Sequence, residues 1–519
     1  VLTFLEVENF KGIAARQRID LALLTLLFGA NSAGKSTILQ ALLYLHEVIE
    51  RGSADIDRAE LSGDVLEFGG FARIVHKHDT KRAIVLRAEF DTPGGLERFG
   101  RDLADFPFPD LDDEVDSAWI EFTIQHRTAT AFQGAMVERV AIGVNSQLEP
   151  LVWLETPGSL REGEPLYARI NLGHPLVREA AHHVAESWLA VGVPEPPWHR
   201  GVDPGFPERG AVIGLDDLLG FTDGRALPLV ALSRSRISAL PPVNEPLRVI
   251  PWGDALEDSA AVRHVRTFLE MIVLGTAAQL ATILRESIYI GPLRTVPPRG
   301  FLYERAGRIT KWADGLAAWD LLLADRRNRV DEANAWLRRL GAGCQLVVQK
   351  LFDRSAEAEN ASHDNVDKTV RRLLLDAGAG TLVLPSEVGA GISQVVPVIV
   401  AALEDHACLT MIEQPELHIH PLLQTNLGDL FIVASARRQF LIETHSEHLI
   451  LRALRRIRET NAGELNDGDP PFTPDKLSVI YVEATADGTT FKQVRVDETG
   501  EFVDRWPHGF FEERAKELF

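Results

Sequence analysis

Cysteine is nearly absent: the 519 residues hold two, Cys344 and Cys408. Two isolated thiols build neither a disulfide framework nor a cysteine-based metal motif, which fits a reducing cytoplasm. Positive charge is also short, with 54 Lys plus Arg against 75 Asp plus Glu and a net charge of −21. A protein that coats nucleic acid needs the reverse balance, because its affinity comes from displacing phosphate counterions. A local basic groove remains open, and the Arg452, Arg455, Arg456 and Arg458 cluster is one candidate, although such a run is more often a solvated helix face. No apolar run is long enough to span a bilayer and no signal-peptide pattern opens the sequence, so a cytoplasmic chain without a membrane partner is expected. Internal repeats and low-complexity tracts are missing too. Ordinary hydrophobic (45%) and charged (25%) content indicates a globular protein, with room for two or three domains.

One motif decides the class. Gly29-Ala30-Asn31-Ser32-Ala33-Gly34-Lys35-Ser36-Thr37 matches G-x-x-x-x-G-K-[ST]. The apolar run Leu21 to Phe28 leads into it as a buried strand would, and Ile38 to Leu45 follows with helical apolar spacing. Strand, glycine loop and helix form the order that the chemistry needs. Gly29 and Gly34 let backbone amides face phosphate oxygens, and the helix start adds its positive dipole end. Lys35 can reach β/γ-phosphates, and Ser36 can ligate Mg²⁺.

Around this motif, Leu2 to Ile19 reads as a hairpin-like pair with Leu5, Val7 and Phe10 in the core and Gly12 in a turn. Strands are expected at Ala83–Phe90, Ala118–His126, Val137–Val144 and Leu151–Leu154, as an antiparallel subdomain. Helices are expected at Val177–Val191, Asp258–Ile288 and Trp312–Leu340, the last ended near Gly341 and Gly343. Pro194–Arg209 and Pro241–Pro251 read as loops, and Ser355–Asp367 as a polar, mobile segment. From Val370 the pattern returns to α/β. Leu409 to Glu413 is an apolar strand ending in a carboxylate, followed by Gln414-Pro415-Glu416-Leu417-His418-Ile419-His420-Pro421. Gln439-Phe440-Leu441-Ile442-Glu443-Thr444-His445-Ser446 is another apolar strand, ending in a polar histidine. Val388 to Gln394 is a glycine-rich turn opening an apolar helix, a second anion cradle.

At these residues the chain resembles the ABC-type ATPase heads of the bacterial AAA family, near the DNA-repair, chromosome-maintenance and overcoming-lysogenisation-defect branch and Septu-like anti-phage ATPases. Asn9-Phe10-Lys11 and Tyr289-Ile290-Gly291-Pro292-Leu293-Arg294 also match, and Gly500 to Phe511 resembles a C-terminal domain of unknown function found on such ATPases. The resemblance implies an α/β P-loop NTPase fold of ABC-ATPase type, with β-strand and helical segments inserted between the P-loop and signature halves. The implied domains are an N-terminal part of the head over 1–90, an insertion over 91–290, a helical arm-like segment over 291–370, the C-terminal part of the head over 371–460 and a small domain over 461–519.

The resemblance also implies roles. ATP and Mg²⁺ are the cofactors, and two heads pair head-to-tail around two ATP molecules. Asn31 to Thr37 bind phosphate, with Ser36 and Glu413 on the metal. Gly389, Gly391 and Ser393 contact the γ-phosphate held by the other subunit, and His445 takes the switch-histidine position. One departure stands out. The family's general-base Glu is Gln414 here, and an amide cannot take a proton from water. Either Glu416 does so from a shifted position, or hydrolysis is slow and the dimer dwells with ATP bound. Relatives share the Glu-Gln-Pro-Glu form, so decay is not the default reading. The Q-loop glutamine is unassigned, with Gln125 a weak candidate.

Other residues have plainer readings. His418-x-His420 with Glu416 and His445 could be a transition-metal cluster, but the family shows this run at a dimer-contacting loop. His76 and His78 read as structural or solvent-facing, Trp506 and Phe510-Phe511 as a terminal anchor, and Arg294 as a nucleotide contact or an ordinary ion pair. The strand Leu477 to Glu483 resembles the start of a topoisomerase-primase nuclease domain, yet no Gly-x-x-Asp follows and no Asp-x-Asp strand comes later, so nuclease activity in this chain is rejected. The leading expectation is an ATPase subunit of an anti-phage complex controlling a separate nuclease or toxin, as a homodimer or higher homo-oligomer, with nucleic acid an open partner. A DNA-associated ATPase and a nucleotide-gated scaffold are the alternatives.

Overall fold

A computed structural model describes residues 1–52, 54, 68–96, 115–129, 132–157, 165–171, 174–177, 229–233, 237–250, 260–299, 312–324, 328–351, 370–378 and 380–506. The expected loop at Pro194–Arg209, the segment Ser355–Asp367, nearly all of the expected helix Val177–Val191 and the residues Pro507 to Phe511 lie outside the described residues.

The N-terminal half starts with the expected hairpin, β1 (Leu2–Glu8) against β2 (Gln17–Asp20), with Leu5, Val7 and Phe10 fully buried. Then come β3 (Leu24–Gly29) and α1 (Ser36–Arg51). All of β3 is buried, as a continuous apolar run requires of a strand covered on both faces. The next strands are β4 (Ile84–Asp91), β5 (Ser117–Ala129), β6 (Phe132–Val144), β7 (Val152–Glu155), β8 (Leu166–Ile170), β9 (Leu229–Leu232) and β10 (Val249–Ile250). With β1 and β2 they make one nine-stranded sheet in the order β10-β9-β8-β7-β6-β5-β4-β1-β2. The expected boundary at residue 90 falls at the end of β4, inside this sheet. β1 pairs with both β2 and β4, so the antiparallel strands extend the head's own N-terminal hairpin.

The long helix expected at Asp258–Ile288 is α2 (Ala260–Leu269), a π-type stretch at Glu270–Gly275 and α3 (Thr276–Arg285). Its span Val265–Arg285 is long and apolar enough to cross a membrane, contrary to the expectation that no run would be. Its apolar side chains, including Leu269, Ile272, Val273, Leu280 and Leu284, are buried in the core against α1 and the large sheet. β11 (Ile288–Ile290), α4 (Leu316–Ala324) and α5 (Arg329–Leu340) follow. These two helices are not arm-like: Trp319, Leu322, Leu337 and Leu340 are fully buried in the head's second core. A small sheet, β12 (Gln345–Leu351), β13 (Val370–Asp376) and β14 (Leu382–Val383), precedes α6 (Ala390–Leu403). The remaining elements are β15 (Leu409–Glu413), α7 (Pro421–Ser435), β16 (Gln439–Glu443), α8 (Glu447–Ala462), β17 (Leu477–Thr485) and β18 (Gly488–Gln493).

The head sheet runs β11-β15-β16-β3-β17-β18, with its first five strands parallel. The P-loop strand thus lies between two strands from the far end of the sequence. Its register sets Glu443 beside Leu27 and Glu413 beside Glu443. Both acids therefore leave the carboxyl ends of parallel strands, on the edge where the P-loop begins. In the segment expected as a small terminal domain from 461, β17 is the second neighbour of β3 and β18 closes the head sheet. Trp506 packs edge-on against Phe28 and Tyr481, as a terminal anchor should.

The Arg-rich helix α8 is largely taken up within the fold. Arg456, with 3% of its side chain exposed, grips Asp429 through Nε at 2.8 Å and Nη2 at 2.9 Å and reaches Glu459 and Asp469 through Nη1. Arg452 adds a bond of 2.9 Å to the same Asp429, while Arg455 meets Glu459 and Arg458 meets Glu501. These forked charge-assisted bonds lock α8 onto α7. Removing Asp429 would take away the buried carboxylate that Arg452 and Arg456 share, leaving Arg456 only Glu459 and Asp469, so Asp429→Ala should cost about 3–5 kcal/mol. A lowered denaturant midpoint checks this, and an unchanged midpoint would contradict it.

Candidate functional site

The site is built where β3, β15 and β16 end. Gly29 and Gly34 have φ of +150° and +101°, and a Cβ on Gly29 would lie 2.2 Å from the Val482 carbonyl oxygen. Only glycine permits that close strand approach. Among the described residues, the backbone amides of Asn31, Ser32, Gly34 and Lys35 have no acceptor. A loop of unsatisfied amides at the start of a 16-residue helix suits phosphate oxygens. Ala33 and Thr37 are buried, and the Thr489 hydroxyl braces the loop by donating to the Ala33 carbonyl at 3.1 Å.

Lys35 is buried and donates to the carbonyls of Gly29 at 3.1 Å and Ala30 at 2.9 Å. Burial pulls its pKa down, against the pull of Glu443 and Glu416. The Ser36 hydroxyl donates to Glu443 Oε2 at 2.5 Å, and Glu443 Oε1 lies 3.9 Å from Lys35 Nζ. Glu413 accepts from the Tyr289 hydroxyl at 2.7 Å. Burial raises the pKa of Glu413, and the Glu443 charge raises it further, while Tyr289 and Ser36 oppose the shift. Burial raises Glu443 as well. A hydroxyl and two carboxylates on one side of a P-loop form an all-oxygen set that fits Mg²⁺.

Behind this lies the loop after β15. Gln414 holds a left-handed backbone at φ +45°, and its amide donates to the Glu443 carbonyl at 2.8 Å. Glu416 Oε1 accepts from the His445 amide at 2.6 Å, while Oε2 is buried without a partner. Burial raises the pKa of Glu416, partly offset by that bond and by Arg294. His445 is held neutral by burial and by the charge of Lys35, and its Nε2 is buried and unpartnered. Arg294, 4% exposed, clamps the loop by donating from Nη2 to the carbonyls of Glu413 at 2.6 Å and Gln414 at 3.1 Å. Burial lowers its pKa to about 10. Its Nε and Nη1 are buried without a partner among the described residues.

The turn opening α6 stands apart. No hydrogen bond or ion pair joins Gly389, Gly391 or Ser393 to the P-loop. Gly389 is exposed, and Gly391 packs so closely on the Glu416–His418 loop that a Cβ there would lie 2.6 Å from the His418 carbonyl oxygen. Ser393 is 1% exposed and its hydroxyl donates to the Pro385 carbonyl at 2.7 Å. The next residue, Gln394, brackets Arg294 by accepting from its amide at 3.2 Å and donating to its carbonyl at 2.7 Å.

Among the described residues no His, Cys, Asp and Glu group has a geometry that could hold a metal ion by itself, which sets aside the transition-metal reading of His418 and His420. Both are exposed, and His420 caps α7 by accepting from the Leu422 amide. His76 is buried and bonds the Lys11 carbonyl, and His78 bonds the Ala72 carbonyl. Gln125, on β5, donates to the Lys81 carbonyl and makes no bond to this site. Sequence reasoning missed Glu443. Its signal was available, since it ends an apolar strand with an acid just as Glu413 does.

Residues 1–99 match a family model described as "AAA ATPase domain", and residues 296–452 match one described as "AAA domain, putative AbiEii toxin, Type IV TA system". The chain carries AAA-family ATPase domains. In this ATPase residues 472–519 match a third model, "Protein of unknown function (DUF3696)", whose described part contributes β17 and β18 to the head sheet. No curated protein matches the sequence. Among solved structures, the chain is similar to the SMC head domain from Thermotoga maritima at 8% identity and a TM-score of 0.36, covering 95% of this chain and 99% of that one. An Smc head with an extended coiled coil, bound to the C-terminal domain of ScpA, from Pyrococcus furiosus gives 10% identity, a TM-score of 0.37 and coverage of 100% and 98%. The fold is that of an α/β P-loop ATPase of ABC type, with the β and helical segments placed between its two halves.

The raised carboxylates give a pH signature. A Glu whose pKa in the folded protein lies above its ordinary 4.5 costs stability as pH rises through the gap between the two values. Without nucleotide, Glu413→Gln should therefore be more stable than the parent at pH 7.5, and this advantage should shrink towards pH 5. Thermal unfolding at both pH values checks it, and an advantage independent of pH would contradict the assignment.

Proposed function

We propose that this ATPase binds ATP with Mg²⁺, hydrolyses it slowly, and pairs head-to-tail with a second copy to control a separate effector, a nuclease or toxin, in a bacterial anti-phage complex. The observation that carries the reading is the convergence of Lys35, Ser36, Glu413, Glu416 and His445 on one strand edge, with an amide at Gln414. Bound Mg²⁺ would supply charge neutralisation beside Ser36 and Glu413. The remaining work falls to the chain. Asn31 to Thr37 cradle phosphate oxygens. His445, neutral, can donate from or accept at its unpartnered Nε2.

Glu416 is the base. Its Oε1 is fixed by a backbone amide and its Oε2 is free, and a carboxylate raised by burial takes a proton more readily than an ordinary one. Arg294 holds the loop that carries it. Gln414 orients water but cannot accept its proton, which supports slow turnover and a long-lived ATP-bound state. Pairing is supported by Gly389, which lies exposed at the start of α6 where an added Cβ would meet none of the described residues within 4 Å. The effector reading is supported by the toxin–antitoxin wording of the family model over 296–452.

Lys35→Ala should abolish ATP binding. Glu416→Gln should keep binding and lose about 10²–10⁴-fold in phosphate release. Parental turnover in Glu416→Gln, together with faster turnover in Gln414→Glu, would show that Glu416 is not the base.

A further inference from the structure

We propose that Glu443 is a second carboxylate ligand on the cation side of the P-loop, standing beside Glu413 and making ATP binding strongly dependent on a hard divalent cation. This rests on the ATPase reading above. It goes beyond it by assigning a residue that neither the motif nor the resemblance marks.

Three features of geometry point to it. Glu413 and Glu443 are register partners on adjacent parallel strands, so both side chains start from the same level of the sheet edge, roughly 4.8 Å apart across the ladder. The Ser36 hydroxyl, the P-loop's own cation ligand, donates to Glu443 Oε2 at 2.5 Å. Any cation held by that hydroxyl must therefore meet Glu443. The third feature is the backbone bond from the Gln414 amide to the Glu443 carbonyl at 2.8 Å. The residue that lacks a carboxylate is tied directly to the strand end that has one.

The chemistry of the set agrees. Hydroxyl and carboxylate oxygens select Mg²⁺ or Mn²⁺ over metals that prefer thiolate or imidazole. Glu443 is 5% exposed and Glu413 is 6% exposed, and among the described residues Lys35 at 3.9 Å is the one cation within ion-pair distance of Glu443. Two buried carboxylates side by side at one strand edge repel each other, with Lys11 and Arg294 the further cations that face Glu413. The two carboxylates would also repel a triphosphate arriving alone. A divalent cation between them relieves both repulsions. An independent sign that the site awaits a ligand is Arg294. It is 4% exposed, and its Nε and Nη1 are buried without partners where its Nη2 clamps Glu413.

The measurement is the affinity of a fluorescent ATP analogue with EDTA and with Mg²⁺, on the full chain. In the parent, Mg²⁺ should tighten binding strongly. Glu443→Gln should reduce that tightening by roughly 10-fold or more, the scale on which even outer-shell partners of a metal act, while affinity in EDTA is kept or improved. Because Glu443 is buried, Glu443→Asp and Glu443→Asn serve as a second pair. They match in size, and only Asp should restore part of the metal effect. Mn²⁺ added with ATP and followed by electron paramagnetic resonance should show weaker Mn²⁺ binding in the Gln and Asn variants. If Glu443→Gln keeps the parental ratio of affinities, the proposal is overturned. It is equally overturned if affinity falls alike with and without metal, since Glu443 would then only hold Ser36 in place. Lys35→Ala separates the two readings: nucleotide binding retained there would defeat the ATPase reading itself, whatever Glu443 does.

Discussion

Everything at the site depends on the parallel pairing of β16 and β17 with the two edges of β3. That ladder fixes how far each strand end projects, and so brings Glu443 to the hydroxyl that opens α1. A slip of one residue would reverse the alternation of side chains and turn the acid away. β3 is buried at every position, which removes the option of leaving either edge in water. The glycine at its end then has to accept the Val482 carbonyl at a distance that no side chain tolerates. Sheet register, glycine and carboxylate placement form one constraint.

A second layer ties α6 to the loop that follows β15. Gln394 on α6 holds the backbone of Arg294 from both sides, and Arg294 holds the carbonyls of Glu413 and Gln414. Gln394, Arg294 and Glu413 are buried. The chain of bonds therefore exchanges little with water, and displacing one member leaves another unsatisfied.

Local features were legible in the sequence because they are written in neighbouring residues. The P-loop, the hairpin at the start, β4 to β7 and the acid ending β15 follow from short-range spacing. What was not legible depends on which strands lie side by side. Glu443 becomes notable only when β16 is known to flank β3. Equally hidden is that the sheets run across the boundaries expected at residues 90 and 461, because β4 pairs with β1, and β17 with β3, across large sequence distances. Ser393 looked available because a helix start exposes backbone, but its rotamer points back to Pro385. The arginines of α8 looked like a surface because sequence shows charge without showing Asp429 and Asp469 beneath it.

The sheet order also has a consequence for biosynthesis. β3 is made early, and its two neighbours begin at residues 439 and 477. At about 5–20 residues per second, a ribosome needs roughly 20–80 s to supply the first of them. Throughout that interval a largely apolar strand has both hydrogen-bonding edges bare, a state prone to pairing with other chains. The nine-stranded sheet can be assembled from earlier residues and can shield one face of β3, but not its edges. The nascent P-loop is thus a client for chaperones until the last strands arrive, and nucleotide competence comes only with the end of the head.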